Sequence, residues 1–125
     1  MSNDGKLLGA AGEEAAERFL RARGYRILAR NFSTPLGELD LVCFHDGTVV
    51  FVEVKARTTD AAADPEANIN PAKQRRLYRA ARAWLAANRY PECAYRFDAV
   101  SLVLPKSGEP RIRHIIEAFV PEGAI

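Results

Sequence analysis

The sequence predicts an α/β domain on a mixed β-sheet flanked by helices, in the order αβββαββ, and three observations carry that prediction. One is an amphipathic helical stretch over residues 6–23 that stops at Gly24. Another is a pair of β-rich runs, 38–44 and 49–56, joined through His45-Asp46-Gly47-Thr48. Asp-Gly between two such runs signals a hairpin. The third is a helix start at Asn70-Pro71, followed by two further β-rich runs. At 125 residues, the chain suffices for one buried core and reads as a single domain over its whole length.

The first helix takes Asn3 or Asp4 as its cap. One face carries Glu14, Glu17, Arg18 and Arg21 and should be solvated. The other gathers Gly9, Gly12, Glu13, Ala16, Phe19 and Leu20 and should lie on a sheet. Residues 25–31 form the first strand, and Ser33-Thr34-Pro35-Leu36-Gly37 the turn into the hairpin. Residues 58–69 have no clear period and read as a loop. The second helix, capped by Asn70 with Pro71 at its first position, runs to about Asn88 and buries Leu77, Ala80, Ala81, Trp84 and Leu85. Strands over 95–104 and 111–116, separated by Lys106-Ser107-Gly108, complete the chain.

A hydrophobic content of 48% with 27% charged residues fits a water-soluble globular chain. No apolar run approaches the roughly 18 residues of a membrane helix. The start Met1-Ser2-Asn3-Asp4-Gly5 lacks a signal-peptide pattern, so a cytoplasmic location with no membrane partner is expected. Cys43 and Cys93 make no disulfide framework and have no companions at zinc-ligand spacing; they read as a buried strand residue and a loop residue. The net charge of +2 is unevenly spread, with +7 over residues 71–113 and −5 elsewhere. Such separation suits a phosphate-binding face beside an acidic metal site, although solvated helices also show it.

The hairpin carries the chemistry. A two-residue Asp46-Gly47 turn pairs His45 with Thr48, and the same register places Asp40 opposite Glu53 and Glu38 opposite Lys55. Side chains directly opposed lie on one face with Cβ atoms about 5 Å apart. Two carboxylates that close repel each other unless a cation lies between them. Mg²⁺ suits this pair, since it takes one or two carboxylates and keeps several waters. The opposite face pairs Leu39 with Val54, Leu41 with Val52 and Cys43 with Val50, all apolar. The hairpin is therefore expected to be central and covered on both sides, with its acids gathered at one rim. Surface ion pairing of Asp40, Glu53 and Lys55 is the competing reading, and the apolar flanks weigh against it. Glu38 would then simply pair with Lys55. Glu13 stands on the sheet-facing side of its helix, where an acid is unexpected, and is either a further site residue or a half-exposed helix acid.

These residues resemble the D-x(n)-E-x-K signature of PD-(D/E)xK nucleases. Gly37-Glu38-Leu39-Asp40-Leu41-Val42 and Val50-Phe51-Val52-Glu53-Val54-Lys55-Ala56-Arg57 carry the signature. The chain more closely resembles the bacterial YraN family of predicted endonucleases, itself similar to archaeal Holliday-junction resolvases. Gly9-x-x-Gly12-Glu13-x-x-Ala16, Gly24-Tyr25, Asn31-Phe32, Lys73 with Leu77, Arg96-Phe97-Asp98 and Ala118-Phe119 extend the likeness over most of the chain. It departs from that family at Ser33 and at Ala61-Ala62-Ala63-Asp64. The resemblance implies a restriction-endonuclease-like fold and phosphodiester hydrolysis with Mg²⁺ or Mn²⁺. It implies Asp40, Glu53 and the Val54 carbonyl as metal ligands. Lys55 would orient or activate the attacking water, and Glu13 would be the helix-borne acid of a resolvase-like site.

Arg75, Arg79 and Arg82 form one stripe of the second helix with Arg76 beside it. With Arg57, they are the expected nucleic-acid contacts, against the alternative of a solvated basic face. Lys73, near that helix's start, is placed to reach the site. Arg96 and Asp98 alternate on one strand face and read as a structural ion pair; His45 and His114 also read as structural. Tyr25, Tyr78 and Tyr95 read as core or rim aromatics. The leading reading is a metal-dependent DNA endonuclease acting on branched or single-stranded intermediates, with RNA as an open alternative. Resolving junctions would require a homodimer, because two symmetric cuts need two sites. The rival classes are a non-catalytic nucleic-acid-binding accessory module with a retained nuclease fold, and a nucleotide phosphohydrolase with a closed pocket.

Overall fold

The computed structural model describes residues 4–58, 69–89 and 93–121. Within these lie α1 (Asp4–Ala22), β1 (Arg26–Thr34), β2 (Gly37–His45), β3 (Thr48–Arg57), α2 (Pro71–Ala87), β4 (Ala94–Val103) and β5 (Arg111–Phe119). The order is the expected αβββαββ. The expected cap Asn3 and most of the 58–69 loop lie outside the described residues. No described helix is long and apolar enough to cross a membrane.

The five strands form one mixed sheet in sequential order. β1, β2 and β3 make an antiparallel meander, β3 and β4 run parallel, and β5 returns antiparallel. A parallel pair needs a crossover, and α2 lies on it. The hairpin turn is as expected: Asp46 and Gly47 both take positive φ, 50° and 76°, the pattern of a type I′ turn. Gly24, at φ 88°, ends α1. Asn70 caps α2, its side chain accepting from the Lys73 N–H at 2.9 Å.

Each face of the sheet carries a core. α2 covers one with Leu77, Ala81 and Trp84 over Val42, Phe51 and Phe97. α1 covers the other with Ala16 and Leu20 over Leu41, Val50 and Val100. Gly12 is what lets α1 down onto β3, for a Cβ there would stand 2.5 Å from the Ala56 Cβ. The α1 face expected to be solvated is so only in part. Glu14 pairs with Arg18 in solvent, whereas Glu17 reaches β1 and takes two 2.6 Å bonds from Arg30 as well as one from Arg21. Those bonds, Arg30's foremost, hold the Glu17 carboxyl down at about 2.

Two strands run three residues past their expected ends. β1 continues to Thr34 because Phe32, Ser33 and Thr34 pair with Leu39, Glu38 and Gly37, leaving a turn of Pro35-Leu36. β5 continues to Phe119 through a kink at Glu117, whose φ is 53°. The displaced Glu117 N–H donates to Asp98 Oδ1 at 2.9 Å. Asp98, 0% exposed, also accepts from Arg96 at 2.9 Å and meets His114 Nε2 at 2.8 Å. Arg96 in turn donates to the Tyr25 hydroxyl, and Tyr25 stacks on His45 at 4.1 Å. The expected structural roles of Arg96, Asp98, His114 and His45 are thus seen as one buried network.

Gly12→Val should cost roughly 2–3 kcal/mol through overpacking, and adding Ala56→Gly should recover part of it non-additively in urea melts. Strict additivity would mean that Ala56 does not set the approach. Asp98→Asn should cost about 3–5 kcal/mol, because Arg96 then keeps a half-buried charge without its partner. Burial works to raise the Asp98 pKa, but His114, Arg96 and the Glu117 N–H hold it below the usual aspartate range. Its stabilising effect is therefore full above the unfolded value of about 3.9 and declines as pH falls toward the lower folded value. Unfolding free energies measured against pH should show that acid loss in the parent chain and a flatter limb in Asp98→Asn.

Candidate active site

The site arises where β2 leaves β3. Their ladder runs from His45↔Thr48 to Leu41↔Val52 as the register predicts, then stops. Beyond it the Val54 N–H donates to a side chain, Asp40 Oδ2, at 2.8 Å. The expected backbone pairings of Asp40 with Glu53 and of Glu38 with Lys55 are therefore not made. Leu39 is a related correction: it joins the α2-side core, while Leu41 joins the α1-side core. Residues two apart in a regular strand share a face. β1 makes the same switch, with Arg30 reaching α1 and Phe32 packing under α2. Between them Asn31 takes φ 50°, which breaks the alternation. Asp40 stands at this seam, so its carboxylate turns toward the gap that β3 borders.

Glu53, next to Val52 on β3, is 8% exposed and its carboxyl meets that of Asp40. Burial, together with the hydrogen bond and the charge of Glu53, pushes Asp40 up to about 8 against the pull of the Val54 N–H. Glu53 goes the other way. Burial works to raise it, yet the Asp40 carboxyl, Lys73 and Lys55 hold it below the usual glutamate range. Of the two touching carboxyls, Asp40 is thus the one biased toward its protonated form and Glu53 the one biased toward its ionised form. Lys73, from the first turn of α2, makes a salt bridge to Glu53 Oε2 and meets Lys55. Its contact with Lys73, then burial, lowers the Lys55 pKa; Lys73 is raised, Glu53 overcoming the effect of burial.

The remaining expected residues divide. Glu13 approaches from α1 and is hydrogen-bonded to the Asn31 side chain; burial, with the charges of Glu38 and Glu53, raises its pKa. Glu38 accepts from Ser33 Oγ at 3.1 Å instead of pairing with Lys55, because the splay carries it toward β1. Among the described residues no three of His, Cys, Asp and Glu form a metal cage, so the geometry offers two carboxylates, Asp40 and Glu53, with the Val54 backbone adjoining. Arg76 lines a cavity of about 220 Å³ with Gly37, Glu38, Asp40, Glu53, Lys73 and Leu77. Arg75 and Arg79 are exposed on α2, and Arg82 donates to the Tyr78 hydroxyl. Arg57 lies at the end of β3. Asn31, Ser33 and Gly37 stood in the family-like pieces or at a departure from them, but the sequence assigned none of them a role at the site. A Cβ on Gly37 would come within 2.6 Å of the Arg76 carbonyl, so that glycine sets the distance between the hairpin and α2. An Asn between two β-rich runs was the available signal for a left-handed residue.

A family model described as "Uncharacterised protein family UPF0102" matches residues 12–102. Among similar proteins, a "UPF0102 protein" of Syntrophomonas wolfei is 46% identical over 90% of this chain and 96% of its own. One of Anaeromyxobacter dehalogenans is 44% identical over 96% and 90%. Another, of Bifidobacterium longum subsp. infantis, is 45% identical over 91% and 94%.

In metal-free buffer the Asp40 carboxyl binds its proton more tightly folded than unfolded. That group's contribution is full below about 3.9 and is lost as pH rises toward 8. Asp40→Asn should therefore flatten the decline of unfolding free energy between those values. An unchanged slope would count against the raised Asp40 pKa.

Proposed function

The chain belongs to the UPF0102 family, and from that premise we propose that it is a Mg²⁺- or Mn²⁺-dependent endonuclease. In this reading it hydrolyses phosphodiester bonds of DNA, as its resemblance to the YraN and PD-(D/E)xK nucleases implies. One observation carries the reading: Asp40 and Glu53 converge at a strand divergence with Lys55 two residues beyond Glu53, beside a helix bearing Arg75, Arg76, Arg79 and Arg82.

The donor set fits the cation. Two carboxylates with an adjacent backbone carbonyl leave places for water, which is how Mg²⁺ prefers to bind. The pair also needs positive charge, for in the protein alone it is held by a proton on Asp40 and by Lys73. When bound, the metal supplies Lewis-acid polarisation of the scissile phosphate. Asp40 is fixed for this by the Val54 N–H, and Glu53 by its place in the β3–β4 ladder. Lys55, with its lowered pKa, orients the attacking water or donates to charge developing on the phosphate. The α2 arginines hold neighbouring phosphates and set the line of the backbone. A cavity of about 220 Å³ is small beside the roughly 300–1,000 Å³ of small-molecule sites. That size favours a polymer lying across it over a nucleotide enclosed in it.

Purified protein should cut one or more of labelled four-way junctions, flaps, single strands, duplexes or RNA with Mg²⁺ or Mn²⁺, and none in EDTA. Glu53→Ala and Lys55→Ala should each lower the rate by on the order of 10²-fold or more. Cutting that survives both changes would sink the assignment, and salt-sensitive binding without cutting would favour the accessory-module reading. Arg75→Ala with Arg79→Ala should weaken binding to all sequences and reduce the log–log salt slope by about 2. Junction resolution further predicts a dimer by sedimentation.

A further inference from the structure

Lys73 is more than a neighbour of the acids. Its ammonium lies on Glu53 Oε2, an atom of a side chain only 8% exposed that already faces Asp40. The lysine's backbone is fixed from two directions. Its N–H is held by the Asn70 cap at 2.9 Å, and one turn on, the Arg76 carbonyl lies where a Gly37 side chain would have to be. The four-carbon stem is the part free to move, and the side chain retains 28% exposure. A divalent cation bound by Glu53 would take the oxygen electrons that Lys73 now uses, and two cations beside one carboxylate repel each other.

We propose that Lys73 is a built-in counter-cation that holds the Asp40–Glu53 pair together without metal and that a divalent ion displaces from Glu53. This rests on the metal-site reading above. Lys73 keeps the buried acid compensated in the metal-free protein. On metal binding it is released into the cavity it lines with Arg76, where an incoming phosphate would be met. Lys55 adds charge to Glu53, but its own contact is with Lys73, so displacement also frees Lys55. Linkage makes the consequence quantitative: whatever the Lys73 contact adds to the metal-free state is subtracted from metal affinity.

The test is Mn²⁺ titration calorimetry together with thermal melts in EDTA and in Mg²⁺, without substrate. The proteins are the parent chain, Lys73→Met, Lys73→Arg and Arg76→Met. Lys73→Met should melt below the parent in EDTA, because Glu53 has lost its counter-charge. Mg²⁺ should close that gap, and Lys73→Met should bind Mn²⁺ roughly tenfold tighter than the parent. Lys73→Arg should bind Mn²⁺ no more tightly than the parent. Arg76→Met, which removes a cation of the same cavity that is not the salt-bridge partner of Glu53, should stay within about twofold. A gap that saturating Mg²⁺ leaves open would make Lys73 merely structural and overturn the proposal. So would Mn²⁺ affinity unchanged in Lys73→Met, or a gain that Arg76→Met equals. Metal binding by none of the four would remove the metal-site reading as well, whereas binding that ignores Lys73 removes this proposal alone.

Discussion

Two carboxylates facing each other in a nearly dry seam must be given positive charge, and much of the local architecture answers that constraint. Asp40 and Glu53 lie at the point where β2 and β3 part, and the parting follows from the chemistry. A side-chain oxygen of Asp40 occupies the place where the Val54 N–H would otherwise find a backbone partner. One proton and one lysine then make up the charge. Neither is a permanent solution in the way a buried arginine would be. The proton is lost as pH rises toward about 8, and the lysine hangs on a flexible stem.

A second buried acid shows the contrast. Asp98 is fully buried, yet Arg96, His114 and the Glu117 N–H all bond to it, and Arg96 is anchored by Tyr25. Its ionised form is held in place from several sides and its pKa is lowered. Such a site has little left to offer a ligand. Asp40, equally strand-borne, is raised by burial and then by the hydrogen bond and charge of Glu53, with the Val54 N–H pulling the other way. The difference separates a carboxylate that braces β5 against β4 from one whose direct partners are another acid and a backbone N–H.

Helix α2 is positioned by small features instead of large ones. The Asn70 cap starts it at a fixed residue, and bare Gly37 lets the β1–β2 turn reach its backbone. Thr34 Oγ1 accepts from the Leu36 and Gly37 N–H groups and stiffens that turn. The helix thereby presents Lys73 and Arg76 to the cavity while Leu77 and Trp84 go into the core. On the other side Gly12 brings α1 close enough for Glu13 to feel Glu38 and Glu53.

The sequence by itself determined the order of elements, the Asp46-Gly47 turn, the Asn70 cap, the two-faced burial of the central hairpin and the nearness of Asp40, Glu53 and Lys55. All of these follow from local propensity or from counting along two strands outward from a tight turn, and neither depends on the rest of the chain. Only the tertiary structure decided that the count stops at Leu41↔Val52, that Leu39 and Leu41 enter different cores, and that Glu38 belongs to Ser33. It also decided that Lys73 completes Glu53. Those outcomes depend on the left-handed turn at Asn31, on how closely Gly12 and Gly37 admit two helices, and on competition between a carboxylate and the backbone for one N–H. Each is a contest between groups far apart in sequence, so no window of residues contains the answer.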